Sequence, residues 1–103
     1  MITFLKKILG VGPATNYAEL MAQSAVIIDV RSPAEFKQGH IKGALNMPLN
    51  ELEKLAFKIK NDSIVITCCA SGMRSASAKN ILKNSGYEKV YNGGNWSSLN
   101  NKI

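Results

Sequence analysis

The sequence predicts an α/β domain built on a mainly parallel sheet. Short apolar runs rich in Val and Ile, at residues 25–30 and 63–67, read as strands, the first of them buried on both faces. Segments with helix-capping signals alternate with them, the pattern of strand–helix–strand units. One strand then runs through Cys68 and Cys69 into a loop of small residues and on to a helix start. This places a thiol beyond the carboxyl end of a strand, where such sheets bind ligands.

In chain order, residues 1–14 form a short N-terminal extension and residues 15–103 the domain. Phe4, Leu5, Ile8 and Leu9 share one helical face, which predicts a short helix packed on the domain. Lys6 and Lys7 interrupt the apolar run, so a signal-peptide core is not expected, and nothing downstream is long enough to span a bilayer. Thr15 or Asn16 caps a helix to about Gln23, with Glu19 at the capping-box position for Asn16. The strand at 25–30 leads to Ser32, Pro33 and Glu35, which are N-cap, first helical residue and capping-box acid of a helix ending at Gly39. Residues 40–43 form a turn, residues 44–47 a short strand, and Pro48 terminates it.

Asn50 is the expected cap of the next helix, whose buried face is Leu52, Leu55, Ala56 and Ile59. After the strand at 63–67 and the loop, residues 73–84 form a helix with Ala78, Ile81 and Leu82 inward and Gly86 as a left-handed cap. Residues 87–91 read as a last strand, residues 92–94 as a flexible turn, and Trp96 as the start of a terminal helical turn and part of the core.

Composition narrows the function. The net charge of +6 comes from scattered lysines without interleaved aromatics, which argues against nucleic-acid binding. The two cysteines are adjacent, so a structural disulfide would be strained, and their spacing fits neither zinc nor a thioredoxin-type pair. No metal or cofactor is expected, and a reducing, cytoplasmic location fits best. Lys and Arg total 13, yet only Arg31 and Arg74 are arginines, and both fall in the motif stretches. Arginine offers a planar, multi-donor fork that lysine cannot imitate.

The loop from Cys69 to Ser75 carries the chemistry. Backbone N–H groups converging at a helix N-terminus stabilise an anion, and a thiol placed there ionises readily. Gly72 is free to take a positive φ, which lets the backbone curl. Ser75 caps the helix or hydrogen-bonds the loop, with capping the commoner role. Arg74 braces the loop, pairs with an acid such as Asp29 or Glu35, or touches substrate. Cys68 reads as a buried, inert residue at the strand end.

Several blocks together resemble a single-domain rhodanese: Asp29-Val30-Arg31, Glu35-Phe36, Gly39 through Asn46, Cys69 through Ser75, Gly86-Tyr87, and Gly93-Gly94-Asn95-Trp96. The resemblance runs from about residue 15 to 98. It implies a parallel sheet of about five strands between helices, and sulfurtransferase chemistry through a persulfide on Cys69. Ala70, Ser71, Gly72, Met73, Arg74 and Ser75 are then the substrate-binding loop, Asp29 and Arg31 structural support, and His40 part of a structural turn. The implied partners are a sulfur donor such as thiosulfate or a persulfide, a cyanide or thiol acceptor, and a protein persulfide; the domain is expected to be a monomer. Neutral Ala70 and Met73 leave Arg74 and the backbone dipoles as the fixed positive potential, which favours a persulfide donor over thiosulfate.

Two other classes compete. Related phosphatases and arsenate reductases place five residues between cysteine and arginine, because phosphate needs a wider loop. Cys68 and Arg74 have that spacing, whereas four residues separate Cys69 from Arg74. A non-catalytic binding module is the third class, weakened by the retained cysteine.

Overall fold

The computed structural model describes residues 14–103. The helix expected within the first 14 residues falls on positions outside this range, apart from Ala14. Asn16 accepts the Glu19 N–H and starts α1 (Tyr17–Ala22), as its capping pattern predicts. The first apolar run forms β1 (Val26–Asp29). Ser32 and Glu35 exchange both bonds of a capping box around Pro33 at the start of α2 (Pro33–Gln38). A two-residue strand, β2 (Leu45–Asn46), follows.

The helix expected after Asn50 is instead broken into three pieces: a 3₁₀ turn (Leu49–Glu51), one α-helical turn, α3 (Leu52–Leu55), and a second 3₁₀ turn (Ala56–Lys58). Asn50 lies inside the first turn and caps nothing. Tightening to three residues per turn brings Leu49, Leu52 and Leu55 towards one line, and the Tyr87 hydroxyl lies within hydrogen-bond reach of the Ala56 and Ile59 carbonyls at the end of the segment.

The second apolar run is β3 (Val65–Cys69), buried at every position. It extends two residues beyond its expected end, to Cys69. The loop leads into α4 (Met73–Asn84). Gly86, at φ +102°, closes that helix: its N–H donates to Lys83 and the Tyr87 N–H to Leu82. Tyr87 therefore belongs to the cap, and the last strand starts later than its apolar pattern suggests. It is β4 (Val90–Asn95), and it absorbs the Asn92-Gly93-Gly94 stretch that reads as a flexible turn. Trp96 opens the terminal helix, α5 (Trp96–Asn100), as expected.

The four described strands run parallel in the order β2-β1-β3-β4, against about five implied by the resemblance. β1 and β3 occupy the centre, and the side chains of successive residues in them point to opposite faces. On one face Ile28, Val65 and Cys69 pack with Leu52 of α3 and with Ala78 and Leu82 of α4. On the other, Ile27, Ile66 and Cys68 pack with Leu99 of α5 and with Tyr17 and Leu20 of α1. Among the described residues no helix is long and apolar enough to cross a membrane.

Gly93 shows why the glycine pair is strand rather than turn. A Cβ there would lie 2.8 Å from Leu99 Cδ2, 2.9 Å from Ile66 Cγ2 and 2.9 Å from the Thr67 carbonyl oxygen. The absent side chain lets α5 close over the sheet, and the Thr67 oxygen is backbone that cannot rotate away. Gly93→Ala is expected to destabilise the domain by about 1–3 kcal/mol, the usual cost of overpacking. Urea unfolding of the purified variant checks this, through a lower midpoint at unchanged slope.

Candidate active site

β3 delivers two thiols to opposite faces of the sheet, and their surroundings set their chemistry apart. Cys68 is fully buried among apolar side chains, and burial pushes its thiol up to about 12. Asp29 adds to the rise more than Arg31 opposes it. Cys69 is equally inaccessible, and burial is again the largest single influence, disfavouring the thiolate. Here it is outweighed. The Ser75 hydroxyl and the backbone N–H groups of Ser75, Gly72 and Ser71 act together to bring the thiol below its ordinary value. The Gly72 N–H lies 2.9 Å from the sulfur, the Ser75 N–H 3.3 Å and the Ser75 Oγ 3.4 Å.

The local sequence makes this ring of donors possible. Gly72 sits at φ +100° as the N-cap of α4, a conformation that turns its N–H back onto the sulfur. Ser75 lies in the first helical turn, where backbone N–H groups have no intrahelical acceptor. It is not the cap that its residue type suggests; it is buried, and its hydroxyl faces the loop interior. Thr67 Oγ1 donates to the Ser75 carbonyl at 2.9 Å, fixing that helical turn to β3.

A second cluster supports the loop from the side. Asp29 and Arg31, at the carboxyl end of β1, form a buried ion pair at 2.8 Å. The guanidinium also donates to the Glu35 carbonyl at 3.3 Å and the Gly39 carbonyl at 2.6 Å, and lies 4.7 Å from the centre of a Trp96 ring. α2, held in this way, presents the Glu35 carboxylate to Arg74 in two parallel bonds of 2.8 and 2.9 Å. Arg74 and, next, the Ser32 N–H lower Glu35 from its ordinary 4.5 to about 2.

Comparison with known proteins now decides the family: the model described as "Rhodanese-like domain" matches residues 13–96. The chain belongs to the rhodanese-like family. It is 44% identical over 70 residues to thiosulfate sulfurtransferase PspE of Escherichia coli K12, covering 65% of this chain and 66% of that protein. Among solved structures it is similar to a rhodanese with anions from E. coli, at 36% identity and TM-score 0.66, covering 71% of this chain and 88% of that one. It is also similar to a human single-domain sulfurtransferase, at 30% identity and TM-score 0.71, covering 84% and 92%. The chain spans about two thirds or less of the first curated relatives it matches, and only 56% in one case.

In this rhodanese-like domain the expected loop residues differ in what they touch. Gly72 and Ser75 touch the Cys69 sulfur. Ser71 contributes its N–H, and its Oγ accepts the Met73 N–H at 3.5 Å. Ala70 and Met73 turn outward, Met73 with 79% of its surface exposed. Arg74 takes the pairing alternative, bound to Glu35. Asp29 and Arg31, expected as structural support, form the buried ion pair that ties β1 to α2. His40 stacks on Phe36 at 3.6 Å on the surface, in keeping with a structural turn.

The surroundings of Cys68 do not suit the phosphatase register: Cys68 faces the opposite core cluster, burial raises its thiol, and Arg74 turns to α2 rather than into a wider loop. Among the described residues no group of three or more His, Cys, Asp or Glu side chains is placed to hold a metal ion. A cavity of about 310 Å³ lies at the other end of the sheet, lined by Asn61, Asp62, Gly86, Glu88 and Lys89, and shares no residue with the loop.

Two contributors escaped the sequence reading. Asn92 and Asn95, both on β4, bond to the loop: Asn92 Nδ2 donates to the Gly72 carbonyl at 3.2 Å and Asn95 Nδ2 to the Ala70 carbonyl. Their signal was present, as polar amides at the carboxyl end of a parallel strand, but the glycines between them suggested a turn.

Because Glu35 titrates lower in the folded chain than in the unfolded one, its contribution to stability is complete above about pH 5 and is lost as pH falls through 4.5 towards 2. Thermal unfolding of the wild type is expected to weaken over that interval. Glu35→Gln is expected to show a shallower loss there, which melting curves at a series of pH values would read.

Proposed function

We propose that this rhodanese-like domain is a sulfurtransferase that carries a sulfane sulfur as a persulfide on Cys69. The observation that carries the reading is the convergence of the Gly72 and Ser75 N–H groups on the Cys69 sulfur, which favours a thiolate despite burial. The printed names of PspE and of the human single-domain sulfurtransferase agree with it.

The Cys69 thiolate attacks the outer sulfur of the donor. With thiosulfate, the S–S bond breaks and sulfite leaves with the bonding pair, so that Cys69 becomes a persulfide with its charge on the terminal sulfur. The N–H groups of Ser71, Gly72 and Ser75, which surround the Cys69 sulfur, are available to hold that charge and the donor's charge, in the manner of an oxyanion hole. An acceptor then attacks the terminal sulfur: cyanide leaves as thiocyanate, a thiolate as a new persulfide. Cys69 regains its electron pair and its thiolate form. No base is needed once the thiol is ionised.

Charge at the loop bears on the donor. Arg74 is neutralised by Glu35, and Ala70 and Met73 bring none, so the backbone dipoles are the main attraction for an anion. This favours a persulfide of low charge, on a small thiol or a protein, over the thiosulfate dianion. Two unpaired cysteines and a thiolate nucleophile suit a reducing compartment such as the cytoplasm. Non-catalytic binding accounts less well for a buried thiol surrounded by donors.

Incubation with thiosulfate, and separately with a small-molecule persulfide, followed by intact mass and by thiocyanate formation on adding cyanide, tests the reading. The wild type and Cys68→Ser are expected to gain one sulfur and deliver it; Cys69→Ser is expected to lose delivery by at least about 1,000-fold, as for removal of a catalytic nucleophile. A sulfur gain that survives in Cys69→Ser, or no gain from either donor in the wild type, refutes it.

A further inference from the structure

The Ser75 hydroxyl has one proton and three acceptors within reach. Asn92 Oδ1 is nearest at 2.6 Å, the Gly72 carbonyl lies at 3.1 Å and the Cys69 sulfur at 3.4 Å. The Gly72 carbonyl already accepts the Ala76 N–H at 3.0 Å and Asn92 Nδ2 at 3.2 Å. The choice for the proton is therefore between Asn92 and the sulfur. Asn92 is itself held at both ends of its amide. Oδ1 accepts the Gly94 N–H at 2.9 Å while Nδ2 donates to Gly72, and this fixes which end faces Ser75.

We propose that Asn92 is a positioning residue that sets the direction of the Ser75 hydroxyl proton and thereby the balance between thiol and thiolate at Cys69. In the thiol state the S–H donates to Ser75 Oγ and the Ser75 O–H donates to Asn92. When the sulfur loses its proton to solvent, the Ser75 O–H rotates from Asn92 onto the thiolate, and Asn92 keeps the Gly94 N–H. When sulfur transfer moves the charge out to the terminal sulfur, the O–H returns to Asn92. Ser75 is fully buried, and a hydroxyl stranded there without an acceptor is costly. Asn92 supplies the second acceptor that lets the buried hydroxyl serve a sulfur whose charge comes and goes.

The other charged and titratable groups around this cluster come from the elements packed on it. They are Arg74 of α4 with its partner Glu35 of α2, the Asp29–Arg31 pair at the end of β1, Cys68 of β3, and Tyr17 of α1, whose hydroxyl donates to the Asn92 carbonyl at 2.9 Å. All are retained in the variants below, so they cancel in the comparison. The proposal rests on Cys69 being the reactive thiol and on no particular sulfur donor.

The test follows the rate of iodoacetamide alkylation at Cys69 against pH, with the site located by fragment mass, in the full chain. Alkylation reads thiolate directly, so a domain that moves no sulfur still gives an answer. Removing the competing acceptor leaves the Ser75 O–H to the thiolate and to the Gly72 carbonyl, which loses its Asn92 donor in the same change; the charged sulfur is the stronger acceptor of the two. Asn92→Ala, and Asn92→Val with its better strand preference, are expected to lower the midpoint by about half to one pH unit. Asn92→Asp keeps an acceptor and adds a negative charge, and is expected to raise it by at least as much. In a Ser75→Ala background the downward shift is expected to vanish, since the proton through which Asn92 acts is gone.

A merely structural role predicts otherwise, because a loosened loop raises the midpoint in every variant. Upward shifts in Asn92→Ala and Asn92→Val, or a downward shift that persists without the Ser75 hydroxyl, overturn the proposal. Should neither acceptor-free variant fold, Asn92→Asp decides: a rise that is no smaller in the Ser75→Ala background overturns it.

Discussion

A guanidinium taken out of water is stabilising only when nearly every donor finds an acceptor, and Arg31 meets that condition. Asp29 takes two sides of it, the Glu35 and Gly39 carbonyls take the rest, and a Trp96 ring covers its face. These contacts join the end of β1, both ends of α2 and the start of α5. Removal of the arginine would leave Asp29 buried with no counter-charge, a loss of about 3–5 kcal/mol in comparable cases. The position of α2 depends on this cluster, and so does the carboxylate that α2 offers to Arg74. The first turn of α4 is thus held from one side by Arg31, through Glu35, and from the other by β3, through Thr67.

That first turn is where burial and ionisation are reconciled. Two consecutive cysteines on one strand experience the same depth and opposite fates. The pleat turns Cys68 into an apolar layer with no donor to offset desolvation, and Cys69 towards the open end of a helix. The free N–H groups of that end have no helical acceptor, so the sulfur becomes one. Gly72 brings the nearest of them into reach through a left-handed backbone conformation. The donor-lined sulfur of Cys69 is therefore a consequence of strand alternation meeting a helix start, with one glycine adjusting the fit.

Asparagines of β4 complete the arrangement. The loop carbonyls of Ala70 and Gly72 point towards that strand and are met by Asn95 and Asn92. Gly93 between them allows α5 to lie close enough for Leu99 to seal the far layer. A charge-poor mouth results, with Met73 exposed and Arg74 engaged elsewhere. The same amide network that supports the loop supplies the Ser75 hydroxyl with its alternative acceptor.

Much of this was readable from the chain itself. Local signals acting within a few residues determined the α/β class, the Asn16 cap of α1, the capping box of α2 and the Gly86 cap, because these features depend on short-range sterics and hydrogen bonds. Three things required the assembled fold. The segment after Asn50 runs as short 3₁₀ and α turns rather than one helix, and its end is anchored by the hydroxyl of Tyr87, far along the chain. The Asn92-Gly93-Gly94 stretch became strand because β3 provided a ladder and α5 required the space. The choice of Glu35 for Arg74, among the alternatives its position allowed, was made by the placement of α2. In each case one deciding partner (Tyr87, β3 or Glu35) lies more than 20 residues away, and local propensity carries no information about a contact at that distance.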